Sequence, residues 1–143
     1  NVFMFGVKKI LFAIDLDSKN ISPAVTALKI ARDFGSEIHF LYVNDPQAGF
    51  RHPTDREDAI SLKLREVASD ELLSTVRVIY ATAKGELAEE VVKYCADNNI
   101  DLVIVGHKIR PKIYGKVFDS PDVQIIDALN LPVLVLPSKQ THI

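Results

Sequence analysis

The stretch VKKILFAID, residues 7–15, is the first indication of how this chain folds. Two lysines stand near its N-terminal end, and the residues after them form one apolar run instead of alternating apolar and polar positions. A run of this kind is typical of a strand covered on both faces, as the strands of a parallel sheet are. The chain is therefore predicted to contain a buried parallel strand that ends at Asp15.

The residues that follow alternate between strand and helix. Further strands are predicted over residues 37–43, 76–81, 101–105 and 131–136, and helices over residues 22–34, 55–73, 87–95 and 121–129. Ser22 and Ser120 are predicted N-caps, because each precedes a proline, which suits the first helical position. The pattern predicts one α/β domain, an open twisted sheet of five parallel strands with helices on both faces.

The composition of the 143 residues is that of an ordinary globular domain, with 48% hydrophobic and 25% charged residues. A chain of this length buries about 68–70% of its unfolded surface, so it can build a core without disulfides or a structural metal. The formal net charge of −2 is unlike that of a protein with a basic surface, and nucleic acid is not expected as a partner. Cys95 has the spacing of a helix's apolar face and is predicted to be a small buried hydrophobe.

The sequence predicts neither a membrane span nor a signal peptide. No apolar run approaches the roughly 20 residues that cross a bilayer, and residues 1–6 lack the basic start of a signal peptide. We therefore expect a cytoplasmic protein without a membrane partner. Residues 1–6 are expected to be an N-terminal extension or an expression remnant, residues 7–138 the folded domain, and residues 139–143 a tail.

Ligands of such sheets bind outside the carboxyl ends of the strands, where the strand order reverses. The residues at these ends are predicted to be Asp15, Asn44, Thr82 and Gly106. Two interpretations of Asp15 stay open. Its carboxylate contacts a ribose hydroxyl or a metal ion, or it accepts hydrogen bonds from backbone donors in its own turn.

A local excess of basic residues follows Gly106. It consists of His107, Lys108, Arg110, Lys112 and Lys116. This connection binds an anion or is a solvated basic loop, and both interpretations stay open because neither GxxxxGK[ST] nor GxGxxG occurs in the chain. A weaker third hypothesis is that the loop docks an acidic protein or a nucleic acid, which would make binding strongly salt-dependent.

The usual parts of a hydrolytic enzyme are missing from the sequence. There is no GxSxG motif, no cysteine directly after a strand and no evident pair of carboxylates, so no catalytic residue is assigned. The four histidines have no pair at metal-ligand spacing, and no metal site is assigned either. The sequence favours a binding crevice over a catalytic one.

Three stretches resemble the universal stress protein family, in the order and spacing found there. They are KKILFAIDLDS (8–18), KGELAEEVVKYCADNNIDLVIVGH (84–107) and LNLPVLVLP (129–137), so the resemblance covers residues 7–137. It implies an adenine nucleotide alpha hydrolase-like sheet of order 3-2-1-4-5, with a crevice for ATP or AMP between strands one and four. The nucleotide-binding positions that it implies are Asp15, Val43, Val105, Gly106, His107 and Ser120.

The loop after strand four departs from the pattern of ATP-binding relatives. That pattern, G-x-x-G-x(9)-G-S/T, meets Gly106, Ile109, Asp119 and Ser120, so its second and third glycines are missing. An isoleucine strongly resists the backbone conformations that glycine allows next to a phosphate. Asp119 also brings a negative charge to a helix N-terminus that would otherwise favour an anion.

The basic residues Lys108, Arg110 and Lys112 are candidates to offset this negative charge. Lysine and arginine side chains are flexible point charges, so these residues are not expected to form a preorganised cradle. We therefore expect the crevice to be weakened or altered, as in the branch of the family that lacks these glycines and does not bind ATP.

The resemblance also implies a homodimer formed through the last strand, with Val133, Leu134, Val135 and Leu136 as its apolar surface. The leading hypothesis is a non-catalytic, homodimeric binding or regulatory module of the stress response. The alternative is a nucleotide-dependent switch that binds ATP or AMP, or a weak ATPase.

Overall fold

The computed structural model describes residues 6–15, 21–44, 57–106 and 121–137. Five strands and five helices follow one another in these residues: β1 Lys9–Ala13, α1 Ser22–Phe34, β2 Glu37–Asn44, α2 Glu57–Val67, α3 Asp70–Thr75, β3 Val78–Lys84, α4 Leu87–Asn98, β4 Leu102–Gly106, α5 Pro121–Ala128 and β5 Val133–Leu136. Among them no helix is long and apolar enough to cross a membrane.

The strands form one sheet in the order β3-β2-β1-β4-β5, and every pair is parallel. The fold class and the strand order predicted above are therefore confirmed. β1 is the central strand, where Ile10 stands opposite Ile38 of β2 and Leu102 of β4. Because β1 is covered on both faces, its central residues are all apolar and buried, which is why its sequence shows no alternation.

Two apolar cores lie on opposite faces of the sheet. One is formed with α1, α2 and α3 and contains Phe12 and Phe40, whose ring centroids are 5.5 Å apart. The other is formed with α4 and α5 and contains Leu11, Val91 and Cys95. Successive strand residues point to opposite faces, so each strand contributes to both cores.

Two details of the predicted helices are wrong. Ile21, not Ser22, occupies the N-cap position of α1 and makes no side-chain cap, because the helix begins one residue earlier and Pro23 lies inside its first turn. The helix predicted over residues 55–73 is two helices. Ser69 adopts an extended conformation and its hydroxyl accepts the N–H of Leu72 at 3.1 Å, which starts α3 as a separate helix.

The predicted strand ends also need correction. β3 continues to Lys84 because it pairs with β2 as far as Asn44, so Thr82 lies inside the strand and not after it. Gly106 is the last residue of β4 because it pairs with Leu136 of β5. β1 ends at Ala13, which leaves Asp15 two residues beyond the strand. The predicted end of α1 at Gly35 is confirmed, since Gly35 has a φ of +66°.

Candidate functional site

Four of the predicted site residues lie at the carboxyl edge of the sheet. Ala13 stands opposite Leu41 on one side and Val105 on the other, and the N–H of Ile14 donates to the carbonyl of Leu41 at 2.9 Å. Continuing this register places Asp15 next to Val43. Neighbouring strands are about 4.8 Å apart, so the ends of β1, β2 and β4 form one short row. The structure therefore brings Asp15, Val43, Val105 and Gly106 to the same edge.

The other predicted site residues, His107, Lys108, Arg110, Lys112 and Ser120, lie outside the described residues. Their roles stay predictions from the sequence. The same holds for the nucleotide-binding roles of the four residues at the edge, since their placement alone does not assign a ligand.

The start of α1 covers the end of β4, a contact that the sequence did not reveal. A Cβ on Gly106 would meet the ring carbons Cβ and Cγ of Pro23 at 3.5 Å, which is ordinary van der Waals distance. Pro23 and Ile21 are both buried here. The sequence predicts only a helix start at Pro23. In the structure Pro23 also lies beside Gly106 at the carboxyl edge of the sheet.

The start of α4 lies at the same edge, but its free backbone N–H groups already donate hydrogen bonds within the chain. The two carboxylate oxygens of Glu86 accept the N–H groups of Ala88 at 3.1 Å and Glu89 at 3.0 Å. These donors are occupied, and the carboxylate adds a negative charge that repels anions. The start of α4 is therefore a poor site for an anion.

Asp15 is half-buried, so its carboxylate is neither fully solvated nor enclosed in the core. Val43 and Gly106 beside it are also half-buried, whereas Val105 is buried. The edge thus offers one acidic side chain and the backbone of two strand ends. Such a set can accept hydrogen bonds from sugar hydroxyls and from the exocyclic amine of a base.

Chemistry based on cysteine or on a metal cluster finds no support in the part of the chain that the structure describes. Burial raises the pKa of the Cys95 thiol from 9.0 to about 11, so this side chain is a neutral thiol near pH 7. The prediction that Cys95 is a small buried hydrophobe is confirmed. Within the described ranges, no group of three or more His, Cys, Asp or Glu residues could hold a metal ion.

Comparison with known proteins decides the family. The sequence profile of the universal stress protein family matches residues 6–137, which is nearly the whole chain. The chain belongs to the universal stress protein family. A universal stress protein of Methanocaldococcus jannaschii is 24% identical over 144 aligned positions, which are 93% of this chain and 85% of that protein.

Solved structures of universal stress proteins share the fold of this family member. A crystal structure of a universal stress protein in complex with cAMP superposes with a TM-score of 0.70 at 18% identity, covering 94% of this chain and 99% of that one. The structure of a universal stress protein from Archaeoglobus fulgidus in complex with dAMP gives a TM-score of 0.57 at 15% identity, covering 92% and 98%. At these identities the likeness establishes the fold.

Proposed function

We propose that this universal stress protein is a non-catalytic, homodimeric regulatory module of the stress response whose crevice takes an adenosine monophosphate more readily than ATP. The observation that carries this proposal is the row of Asp15, Val43 and Gly106 at the ends of three neighbouring strands. Asp15 would accept hydrogen bonds from ribose hydroxyls, and the backbone of Val43 would pair with the adenine edge.

The ligands of structurally similar proteins support an adenine nucleotide. One such protein is in complex with cAMP and another with dAMP. Each of these ligands carries adenine and a single phosphate. A crevice that holds the nucleoside part and leaves one phosphate near the strand ends suits this class of molecule.

The sequence of the loop after β4 argues against tight binding of a triphosphate. Ile109 and Asp119 stand where ATP-binding relatives have glycines, so two positions of the phosphate cradle carry side chains. A carboxylate such as that of Asp119 costs a nearby phosphate on the order of 1 kcal/mol at surface dielectric. AMP carries fewer negative charges than ATP, so repulsion by this carboxylate weakens the binding of AMP less.

A second candidate function is a nucleotide-dependent switch or weak ATPase. It is favoured by Gly106 and Ser120, which match the first and last positions of the ATP-binding pattern, and by Lys108, Arg110 and Lys112 between them. Preference for ATP over AMP, together with slow phosphate release, distinguishes this candidate from the monophosphate-binding module.

The dimer is proposed to form through β5, the last strand in the order of the sheet. The carbonyl of Pro132 accepts the N–H of Val103 of β4. In a parallel pair of strands, alternate residues direct their N–H and C=O groups to the partner strand, so the backbone groups of Val133 and Val135 point away from β4. Leu134 and Val135 are 38% and 37% exposed. A strand at the end of the sheet order with exposed apolar side chains suits pairing with a second copy.

Calorimetric titration with AMP tests the proposed crevice. We expect Asp15→Ala to weaken AMP binding at least about tenfold, which is about 1.4 kcal/mol. Asp33→Ala is the matched control, because it removes the same charge from an exposed position near the far end of α1. Equal affinities of wild type and Asp15→Ala would contradict the proposed ligand contact.

Sedimentation equilibrium tests the dimer separately. The chain mass is 15.9 kDa, and we expect about twice this mass for the wild type and a single chain for Val135→Lys. Leu62→Lys, at a 60% exposed position on α2, is the control and should remain dimeric. A monomeric wild type, or a Val135→Lys variant that stays dimeric, would reject pairing through β5.

A further inference from the structure

A chain of hydrogen-bonded side chains joins the sheet to α4 near the amino ends of the strands. Glu37 and His39 are two residues apart on β2 and therefore share the face that α4 covers. Nε2 of His39 lies 2.6 Å from Oε2 of Glu37, and Nδ1 lies 2.6 Å from the hydroxyl of Tyr94. His39 is only 3% exposed. The imidazole thus has a partner on each nitrogen and little access to water.

In the described part of the chain, Glu37 is the acidic partner of this imidazole and has basic residues near it. The other oxygen of Glu37 lies 3.1 Å from Nε of Arg77, which is largely exposed at the start of β3. On β1, Lys9 stands opposite Glu37 in the sheet register. Glu37 is therefore the negative group in contact with His39, and Arg77 bonds to the far side of the same carboxylate.

The described residues opposite the imidazole on β1, β3 and α4 are neutral. Leu11 of β1 and Ile79 of β3 stand opposite His39 in the register. On α4, the ring of Tyr94 meets the imidazole edge-on, with centroids 5.6 Å apart, and Cys95 beside it is a neutral thiol because burial raises its pKa to about 11. The positive charge of a second proton on His39 is thus balanced by the carboxylate of Glu37, and Tyr94 is the α4 residue that bonds to the protonated ring.

The direction of the bond to Tyr94 depends on the number of protons on His39. In the neutral ring, Nε2–H donates to the carboxylate of Glu37, and Nδ1 accepts the hydroxyl hydrogen of Tyr94. In the doubly protonated ring both nitrogens donate, so the oxygen of Tyr94 must accept and its hydrogen must turn to another acceptor. Both states keep both hydrogen bonds, but the Tyr94 hydroxyl has opposite orientations in the two.

We propose that His39 is a proton-sensitive latch, which reverses its hydrogen bond to Tyr94 of α4 when the imidazole takes up a second proton. One turn further along α4, the side-chain amide of Asn98 donates to the backbone carbonyl of Tyr94 at 3.0 Å, so the backbone amides of Tyr94 and Asn98 serve as reporters on α4. The latch lies away from the crevice and does not depend on the proposed ligand.

A pH series of nuclear magnetic resonance spectra of the full-length, nitrogen-15-labelled protein tests the latch. We expect the Nε2–H form while the ring of His39 carries one proton, and two protonated nitrogens once it carries a second. The backbone amide signals of Tyr94 and Asn98 should move over the same pH interval. His39→Gln identifies the ring signals by their absence.

Tyr94→Phe is the decisive variant, because it keeps the ring and removes the hydroxyl. In it we expect the α4 amide signals to stop following His39. Tyr80→Phe makes the same chemical change on the opposite face of the sheet and should leave the coupling intact.

Three results would overturn the latch. They are a folded wild type in which His39 never takes the second proton, a neutral ring in the Nδ1–H form, and α4 signals that still follow His39 in Tyr94→Phe. If Tyr94→Phe does not fold, the wild-type tautomer and the coupled amide titration decide the question.

Discussion

The Gly106→Ala variant tests whether a ligand approaches the backbone of β4 without lowering the stability of the fold. The new methyl group would lie 3.5 Å from Cβ and Cγ of Pro23, an ordinary contact that requires no movement. Among the described glycines, only Gly35 and Gly85 have a positive φ, so Gly106 needs no conformation that alanine avoids. Alanine also reduces the freedom of the unfolded chain, which typically stabilises a compatible site by about 0.4–1 kcal/mol.

We therefore expect Gly106→Ala to have a free energy of unfolding equal to that of the wild type or up to about 1 kcal/mol higher. The same methyl group occupies the space between the end of β4 and the start of α1. If a nucleotide approaches the backbone there, AMP affinity should fall by about tenfold, or 1.4 kcal/mol. Urea unfolding and calorimetric titration of the same preparation measure the two quantities.

Gly85→Ala is the matched control at the same edge of the sheet. Its φ is +151°, and a Cβ there would lie 2.9 Å from Oε2 and 3.0 Å from Cγ of Glu90. We expect a loss of about 1–3 kcal/mol in stability with no change in AMP affinity of the folded protein. The reasoning is refuted if Gly106→Ala unfolds more easily than the wild type by over about 1 kcal/mol, or if it binds AMP as well as the wild type does.

Three further predictions concern stability and reactivity. Phe40→Ala should lower the free energy of unfolding, measured with urea, by about 3–5 kcal/mol, because Phe40 is fully buried. A decrease below about 1 kcal/mol would contradict the described core. Ser69→Ala should cost about 1 kcal/mol by removing the cap of α3, whereas Ser74→Ala should cost less. The pKa of the Cys95 thiol rises from 9.0 to about 11 on folding, so the thiol of the unfolded chain ionises at lower pH than that of the folded chain. The free energy of unfolding should therefore fall as the pH rises from 9.0 to about 11, and it should fall less in Cys95→Ala.

The parts of the fold that could be predicted from sequence are those with a local physical signature. The apolar run before Asp15 has no alternation because β1 is buried on both faces, and Gly35 ends α1 because its positive φ suits glycine. The break between α2 and α3 was missed because Ser69 lies within an amphipathic pattern that continues across it. Its capping role appears only when its hydroxyl is seen to accept the N–H of Leu72.

The candidate site was predictable only in part, for a different reason. Asp15, Val43 and Gly106 could be placed together because parallel strands end at one edge of a sheet. The contact between Pro23 and Gly106 joins residues far apart in sequence and leaves no local signal. The spacing of the four histidines predicts no metal site, and the sequence assigns no role to His39. Glu37 two positions earlier on the strand was the available hint of its partner, but Tyr94 becomes a neighbour only through the packing of α4.

The most direct test of the central claim is the ratio of the dissociation constants for AMP and ATP, measured by competition for the same crevice in wild-type protein with magnesium present. The missing glycines at Ile109 and Asp119 predict that AMP binds at least as tightly as ATP. ATP binding with a micromolar dissociation constant, tighter than that of AMP and lost in Asp15→Ala, would contradict the account and favour the nucleotide-dependent switch.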